Sequence, residues 1–320
     1  MGGGGDLDLN LRSSYGVSET LGTSKTLLTL VILVRILVNP IANVFQKQLT
    51  RRSAHPVFII ATVHAALSII LLPYYFAVEA IGPDVGVWTN MFVAALLAVS
   101  GNVLLVYALS EADLSVLGPI NAYKSIVGLI LAIFLIGERP TWRGLTGVLL
   151  IVAGSYFVID RKVNQPLPNA FVRFFSERGI QFRFAALCLA ATEAIFLKRA
   201  VLRSSPAIVF VLWSVLGFAI ALPWTLVSLR RQLAGQHVLL MEARGTYLSL
   251  AVATGVMQLA TVLTLRNLQV GYSLALFQLS AIVSVFLGGR YFGESNIRER
   301  FVGATVMAAG AMLIVLFGSG

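Results

Sequence analysis

The chain has 320 residues, of which 58% are hydrophobic and only 12% charged, with a mean hydropathy of +0.86. A soluble domain carries about 25% charged residues, so a soluble globular enzyme is excluded and lipid must solvate most of the surface. The formal charge of +10 does not mark a nucleic-acid binder: all Lys and Arg except Arg35 and Lys124 read as lying in connections or near helix ends, where they meet headgroups, and no basic stripe interleaved with aromatics occurs.

In chain order, residues 1–26 read as a disordered polar tail. Met1 to Ser24 is Gly-rich, acidic at Asp6, Asp8 and Glu19, and without the apolar core of a signal peptide. Asp6 stands where a myristoylation motif takes Ser or Thr. A membrane span needs about 20 mostly apolar residues, and ten such segments follow. Five, near 27–46, 57–78, 87–109, 114–136 and 142–159, form a first five-helix repeat over 27–160. A polar connecting loop, 161–181, carries Pro166 and Pro168; its part 169–181 reads equally as an interfacial segment or a plain linker. Five more segments, near 182–202, 207–228, 246–266, 273–292 and 299–317, form a second repeat over 182–320. Most connections are only a few residues long, so consecutive helices are expected to be antiparallel neighbours. The single cysteine, Cys188, excludes an intrachain disulfide. His55, His64 and His237 lack ligand spacing, so neither metal nor cofactor is expected.

The halves are similar to each other. A shift of 156 residues lays Gly137-Glu138 on Gly293-Glu294, Gly147 on Gly303, and Ala153-Gly154 on Ala309-Gly310. A slightly smaller shift lays Phe45 and Lys47 on Phe196 and Lys198, and Pro56 on Pro206. An odd number of spans per repeat inverts the second copy in the bilayer. The expected fold is therefore an all-α integral membrane protein of ten transmembrane helices, arranged as two inverted five-helix repeats, with solute held near the midplane between them.

A Gly-Glu at the end of the fourth and ninth spans, each followed by a Gly-rich span, resembles the drug/metabolite transporter superfamily, and within it the EamA type. The resemblance covers nearly everything after the tail and is sharpest at Glu138-Arg139-Pro140 with Gly147 and Gly154. The second copy departs from it at Ser295-Asn296. The resemblance implies a ten-helix carrier of small organic solutes, not an enzyme, in the cell (cytoplasmic or inner) membrane. It also implies cytoplasmic termini, whereas the excess of Lys and Arg on the opposite side favours external ones.

Polar groups at mid-membrane depth are costly and normally face a cavity or a partner. Arg35, Asn39 and Asn43 stack on one face of the first span at i, i+4 and i+8, beside Pro40, which frees a backbone carbonyl. Lys124, with Asn121 and Tyr123 in the fourth span, can bind a carboxylate or phosphate as a point charge; a lysine here also recurs in the resembling family. Glu193 is the one acidic residue at mid-depth. It could carry a coupling proton, or pair with Lys124 and tie the halves together. Gln258 and Thr261 in the eighth span, near Thr254, and Gln278 in the ninth, near Ser284, can orient a polar solute, as can Asn102 and Tyr107 in the third. Glu138 and Glu294, beside arginines, read as caps or loop salt bridges, and the paired glycines as close helix contacts.

Arg35, Lys124 and Glu193 sum to one net positive charge, which favours an anionic or zwitterionic solute over a lipophilic cation. The expected function is secondary active transport, as exporter or exchanger, of small polar organic solutes such as amino acids or metabolites. The expected partners are that solute, the lipid bilayer, and a coupling proton or counter-solute. The alternatives are a flippase for lipid or lipid-linked sugar, and a lipophilic drug exporter.

Overall fold

The computed structural model describes residues 25–78, 83–114, 117, 120, 121, 123–158, 177–293, 301–303, 305–307, 309, 310 and 313. The tail over 1–24, most of the connecting loop, the segment holding Glu294, Ser295, Asn296, Arg298 and Arg300, and most of the tenth predicted span lie outside them.

Among the described residues every regular element is an α-helix. In order they are α1 (Lys25–Arg51), α2 (Pro56–Val78), α3 (Val85–Glu111), α4 (Tyr123–Ile136), α5 (Trp142–Val158), α6 (Arg178–Arg203), α7 (Pro206–Ser228), α8 (Leu233–Glu242), α9 (Arg244–Asn267), α10 (Val270–Phe277) and α11 (Ser280–Phe292). Among the described residues seven stretches are long and apolar enough to cross a membrane: six are the long helices α1, α2, α3, α6, α7 and α9, and the seventh is Val270–Phe292, formed by α10 and α11 together. Helices α4 and α5 are shorter and apolar. The chain is thus an all-α, multi-pass membrane protein.

Local chemistry sets the helix ends. Asp84 accepts the Val87 N–H at 2.7 Å to start α3, and Ser205 accepts the Ile208 N–H at 3.2 Å to start α7, with Pro206 in the first turn. The glycines of both Gly-Glu pairs adopt left-handed backbone, Gly137 after α4 at φ 75° and Gly293 after α11 at φ 68°, a conformation that terminates helices and suits glycine. Burial is inverted relative to a soluble protein. Ile69, Phe134 and Phe286 are 75%, 81% and 63% exposed, whereas Arg35, Asn43, Gln258 and Glu193 are buried. Lipid on the outside removes the hydrophobic drive between helices, so close packing and interhelical hydrogen bonds hold them.

The helices pair across the halves: α1 lies on α9, α2 on α7, α3 on α6, and α4 on α10. Glycines set one further crossing. A methyl at Gly154 of α5 would meet the Gly303 carbonyl oxygen at 2.7 Å, and one at Gly310 would meet the Gly147 carbonyl oxygen at 2.6 Å. The predicted glycine pairs therefore pack against each other, backbone on backbone.

Three features depart from the sequence reading. The predicted span 273–292 is broken at Gln278 and Leu279, between α10 and α11. The Gln278 side chain donates to the Leu274 carbonyl at 2.7 Å, while its backbone N–H moves to the Ala275 carbonyl; a local side-chain bond has displaced a helical one. Asn121, 157 residues before Gln278, likewise forms a turn, with Lys124 N–H on the Asn121 carbonyl, just ahead of α4. Second, α6 starts at Arg178 rather than 182, which draws Arg183 inside the helix. Third, α8 occupies what reads as a connection between spans. Leu239 and Leu240 of α8 pack on the main core. Its buried Gln236 accepts the His55 N–H at 2.9 Å and donates to the Ser53 carbonyl at 3.2 Å, fastening α8 to the α1–α2 turn, where Ser53 is left-handed.

Candidate binding cavity

The polar stripe of α1 points into a cavity of about 80 Å³ between the two halves. Arg35 donates through Nε to Thr261 Oγ1 of α9 at 2.7 Å and lies over the Phe277 ring of α10, 4.7 Å from its centroid. Four residues on, Asn39 donates to Ser280 Oγ at 3.3 Å, at the start of α11 and just past the break. One turn further, Asn43 is buried. The stripe thus ties α1 to the interrupted span at its weakest point.

Glu193 of α6 faces the cavity with one carboxylate oxygen accepting the Trp213 indole N–H at 3.0 Å. Trp213 is in turn packed on the buried His64 ring, 4.4 Å between centroids. Lys124 enters from the first turn of α4, and Gln258 joins Thr261 on the same face of α9. Of the ten residues singled out in the sequence, Arg35, Asn39, Asn43, Asn121, Lys124, Glu193, Gln258 and Thr261 line this cavity; Tyr123 and Gln278 do not. Tyr123 stacks against Phe184 at 5.8 Å, and Gln278 is spent on the Leu274 carbonyl. Asn102 also lines the cavity, with its amide on the Ala98 carbonyl, whereas the Tyr107 hydroxyl is 3.3 Å from His55 Nε2.

Among the described lining residues with hydrogen-bonding side chains, two escaped the sequence reading, Trp213 and Arg183. Arg183 is buried and donates through Nε to the Leu117 carbonyl at 3.1 Å. Among the described residues, the cavity therefore gathers three cationic side chains, Arg35, Lys124 and Arg183, with the single carboxylate Glu193. Lys124 feels all three of the others electrostatically. No ion pair joins Lys124 to Glu193 among the described residues, so the two interact across the cavity rather than in contact.

The ends of the spans carry a second set of contacts. Lys47 of α1 donates to the Ala112 carbonyl at 3.2 Å, at the C-terminus of α3. Lys198 of α6 donates to the Leu265 and Leu268 carbonyls at 2.7 and 2.9 Å, at the C-terminus of α9. Each lysine meets the unpaired carbonyls and negative dipole of a helix end, and the two caps, Ala112 and Leu268, are 156 residues apart. Lys47 also lies 4.0 Å from Asp113 and over the Phe292 ring. Glu138 accepts the Val270 N–H with both oxygens, at 3.0 and 2.9 Å. It is a cap, as the sequence suggests, but for the N-terminus of α10 in the other half. Burial pushes its carboxyl above the usual range, against the pull of the Val270 N–H and Lys198. The neighbouring Thr141 N–H donates to the Tyr272 hydroxyl at 2.7 Å and closes the same seam.

No curated protein matches the chain. One crystal structure of another protein superposes with a TM-score of 0.61 over 92% of this chain and 99% of that one, at 14% identity; at that identity the likeness shows a shared fold alone. Residues 26–160 match the EamA-like transporter family, the same family that the Gly-Glu and the glycines after it resemble. The similarity to the EamA-like transporter family thus covers the first part of the chain, residues 26–160.

Proposed function

We propose that the chain is a secondary active transporter of small polar organic solutes, such as amino acids or other metabolites. It works by alternating access around the central cavity, between two inverted five-span repeats. The observation that carries this reading is the cavity itself: a charged, hydrogen-bonding chamber enclosed between the halves of a chain whose outer face is apolar. The repeat arrangement is supported by the cross-half pairing of helices, the reciprocal glycine crossing, the equivalent lysine caps and the turns at Asn121 and Gln278, 157 residues apart. Interrupted spans beside a central site are the usual transporter solution for presenting backbone and side chains to solute. On this reading α4 and α5 complete the first repeat, the helical residues from 301 to 313 belong to a tenth span, and the chain resides in the cell membrane.

Arg35, Asn39, Asn43, Asn121, Lys124, Glu193, Gln258 and Thr261 are the proposed solute contacts, with Glu193 the group that would carry a coupling proton. A drug-sized lipophilic cation suits the site poorly, because three cationic side chains face one carboxylate in a space far below the ~300 Å³ or more that such ligands occupy. The deciding experiment is counterflow in proteoliposomes loaded with single polar metabolites. Exchange of at least one, abolished by Lys124→Gln, is the expected result. Lipid scrambling without solute exchange would favour the flippase and sink the proposal.

A further inference from the structure

We infer that the solute is a small organic anion of about two negative charges, its acid groups held by the Arg35–Gln258 pair and by the Lys124 and Arg183 side chains of the same cavity. The inference rests on the transport reading of the same cavity and narrows it. It starts from hydrogen-bond capacity left unmet. Among the described residues, the buried side-chain atoms of the lining that lack a partner are Arg35 Nη1 and Gln258 Nε2, and both are donors. Their residues are 8% and 4% exposed. Lys124 Nζ also has no acceptor among the described residues. A buried donor left unmade costs about 1–3 kcal/mol, more when charged, so an occupant rich in acceptors is stabilised there.

These donors reach one cavity from different helices. Arg35 is bonded to Thr261, and Gln258 lies three residues before Thr261 on the same face of α9, so the guanidinium and the amide converge. Lys124 and Arg183 enter the cavity from α4 and α6, and Lys124 senses the charge of Arg35 as well as that of Arg183. Among the described residues Glu193 is the lone carboxylate in the lining, and one of its oxygens is already taken by Trp213. Three cations against one anion leave two positive charges, which a dianion balances. The fork of Arg35 favours a planar or tetrahedral oxyanion, and the cavity of about 80 Å³ demands a short carbon skeleton. A zwitterion would bring its ammonium into a chamber that is already cationic.

The test uses purified protein in detergent and in phosphatidylcholine proteoliposomes, with four soluble probes: succinate, glycerol phosphate, succinamide and glutamine. Succinate or glycerol phosphate is expected to raise the melting temperature and to exchange in counterflow, and which of the two does so separates carboxylate from phosphate. Succinamide and glutamine are expected to bind at least roughly tenfold more weakly, the effect of one lost charge-assisted hydrogen bond. Gln258→Leu and Lys124→Met should each weaken the anion by a similar factor. If a variant fails to fold, the probe preference of the unaltered protein still decides. Anion binding without exchange upholds this inference and removes the transport reading. Preferred exchange of glutamine or succinamide upholds transport and overturns the inference. Stabilisation by dihexanoyl phosphatidic acid but by neither soluble anion also overturns it, and a complete absence of binding and exchange overturns both.

Discussion

Replacing Gly154 by alanine tests one of the closest backbone contacts among the described residues. The added methyl would sit 2.7 Å from the Gly303 carbonyl oxygen and from the Met307 backbone nitrogen, where ordinary contact begins near 3.4 Å. The two helices must therefore part by roughly 0.7 Å, since neither obstacle is a side chain that can swing away. Overpacking of this kind costs about 1–3 kcal/mol, while alanine in place of glycine in a helix returns about 1 kcal/mol. The net expectation is a loss of about 1 kcal/mol, or a fall of roughly 1–3 °C in Tm. Gly310→Ala, opposing the Gly147 carbonyl at 2.6 Å, should behave alike. The double variant should lose less than the sum, because a single separation of the helices relieves both clashes. Gly235→Ala in α8 is the control: nothing lies within 4 Å of its would-be methyl, so only the propensity gain of about 1 kcal/mol remains. Thermal unfolding in mild detergent reads all four variants. A Gly154→Ala protein that melts higher, as Gly235→Ala should, or a strictly additive pair, would refute the crossing.

Three other outcomes are expected. Lys124→Gln should abolish solute exchange while the protein elutes as a folded species; full activity would remove Lys124 from the site. Glu193→Gln should retain exchange yet lose uptake driven by a pH gradient, and gradient-driven uptake at the normal rate would exclude Glu193 as the proton carrier. Burial raises the Glu138 carboxyl above its ordinary value of about 4.3, so the folded protein holds that proton more tightly than the unfolded chain. Stability should consequently fall as pH rises from the ordinary value through the raised one. Glu138→Gln should flatten this slope, measured as Tm against pH, and an unchanged slope would show that Glu138 is not its source.

Hydropathy made the long helices legible, because lipid demands continuous apolar runs and the charged residues between them mark the ends. Position along a helix was harder to read. Arg183 stood at the edge of an apolar window, where an arginine ordinarily reaches headgroups, and only the earlier start of α6 draws it inward. A signal existed: Arg183, Ala186, Ala190 and Glu193 are spaced three, four and three residues apart, so a face already marked by Glu193 leads back to Arg183. Tyr123 illustrates the converse. It adjoins Lys124, yet neighbouring helical residues point about 100° apart, and Tyr123 turns to Phe184 instead. The Gly-Glu pairs were visible as a repeat, and the left-handed glycines account for half of each motif. That Glu138 caps a helix of the other half could not be read locally, since its partner Val270 lies 132 residues away.

If the chain works by alternating access as proposed, the fastening of α8 bears on the energy of the whole cycle. Two conformations related by perfect symmetry would be equal in energy, and the protein would rest in neither. Only residues 79–84 separate α2 from α3, too few for a helix like α8, whereas the second half holds α8 between α7 and α9. Gln236 makes two hydrogen bonds to the α1–α2 turn and holds the left-handed Ser53 in place. At about 0.5–1.5 kcal/mol each, these bonds sum to about 1–3 kcal/mol, a population bias of roughly 5- to 150-fold. On the proposed alternating-access mechanism, a conformation that parts α8 from that turn forfeits the whole amount, so the insertion would give an otherwise even-handed carrier a preferred resting face.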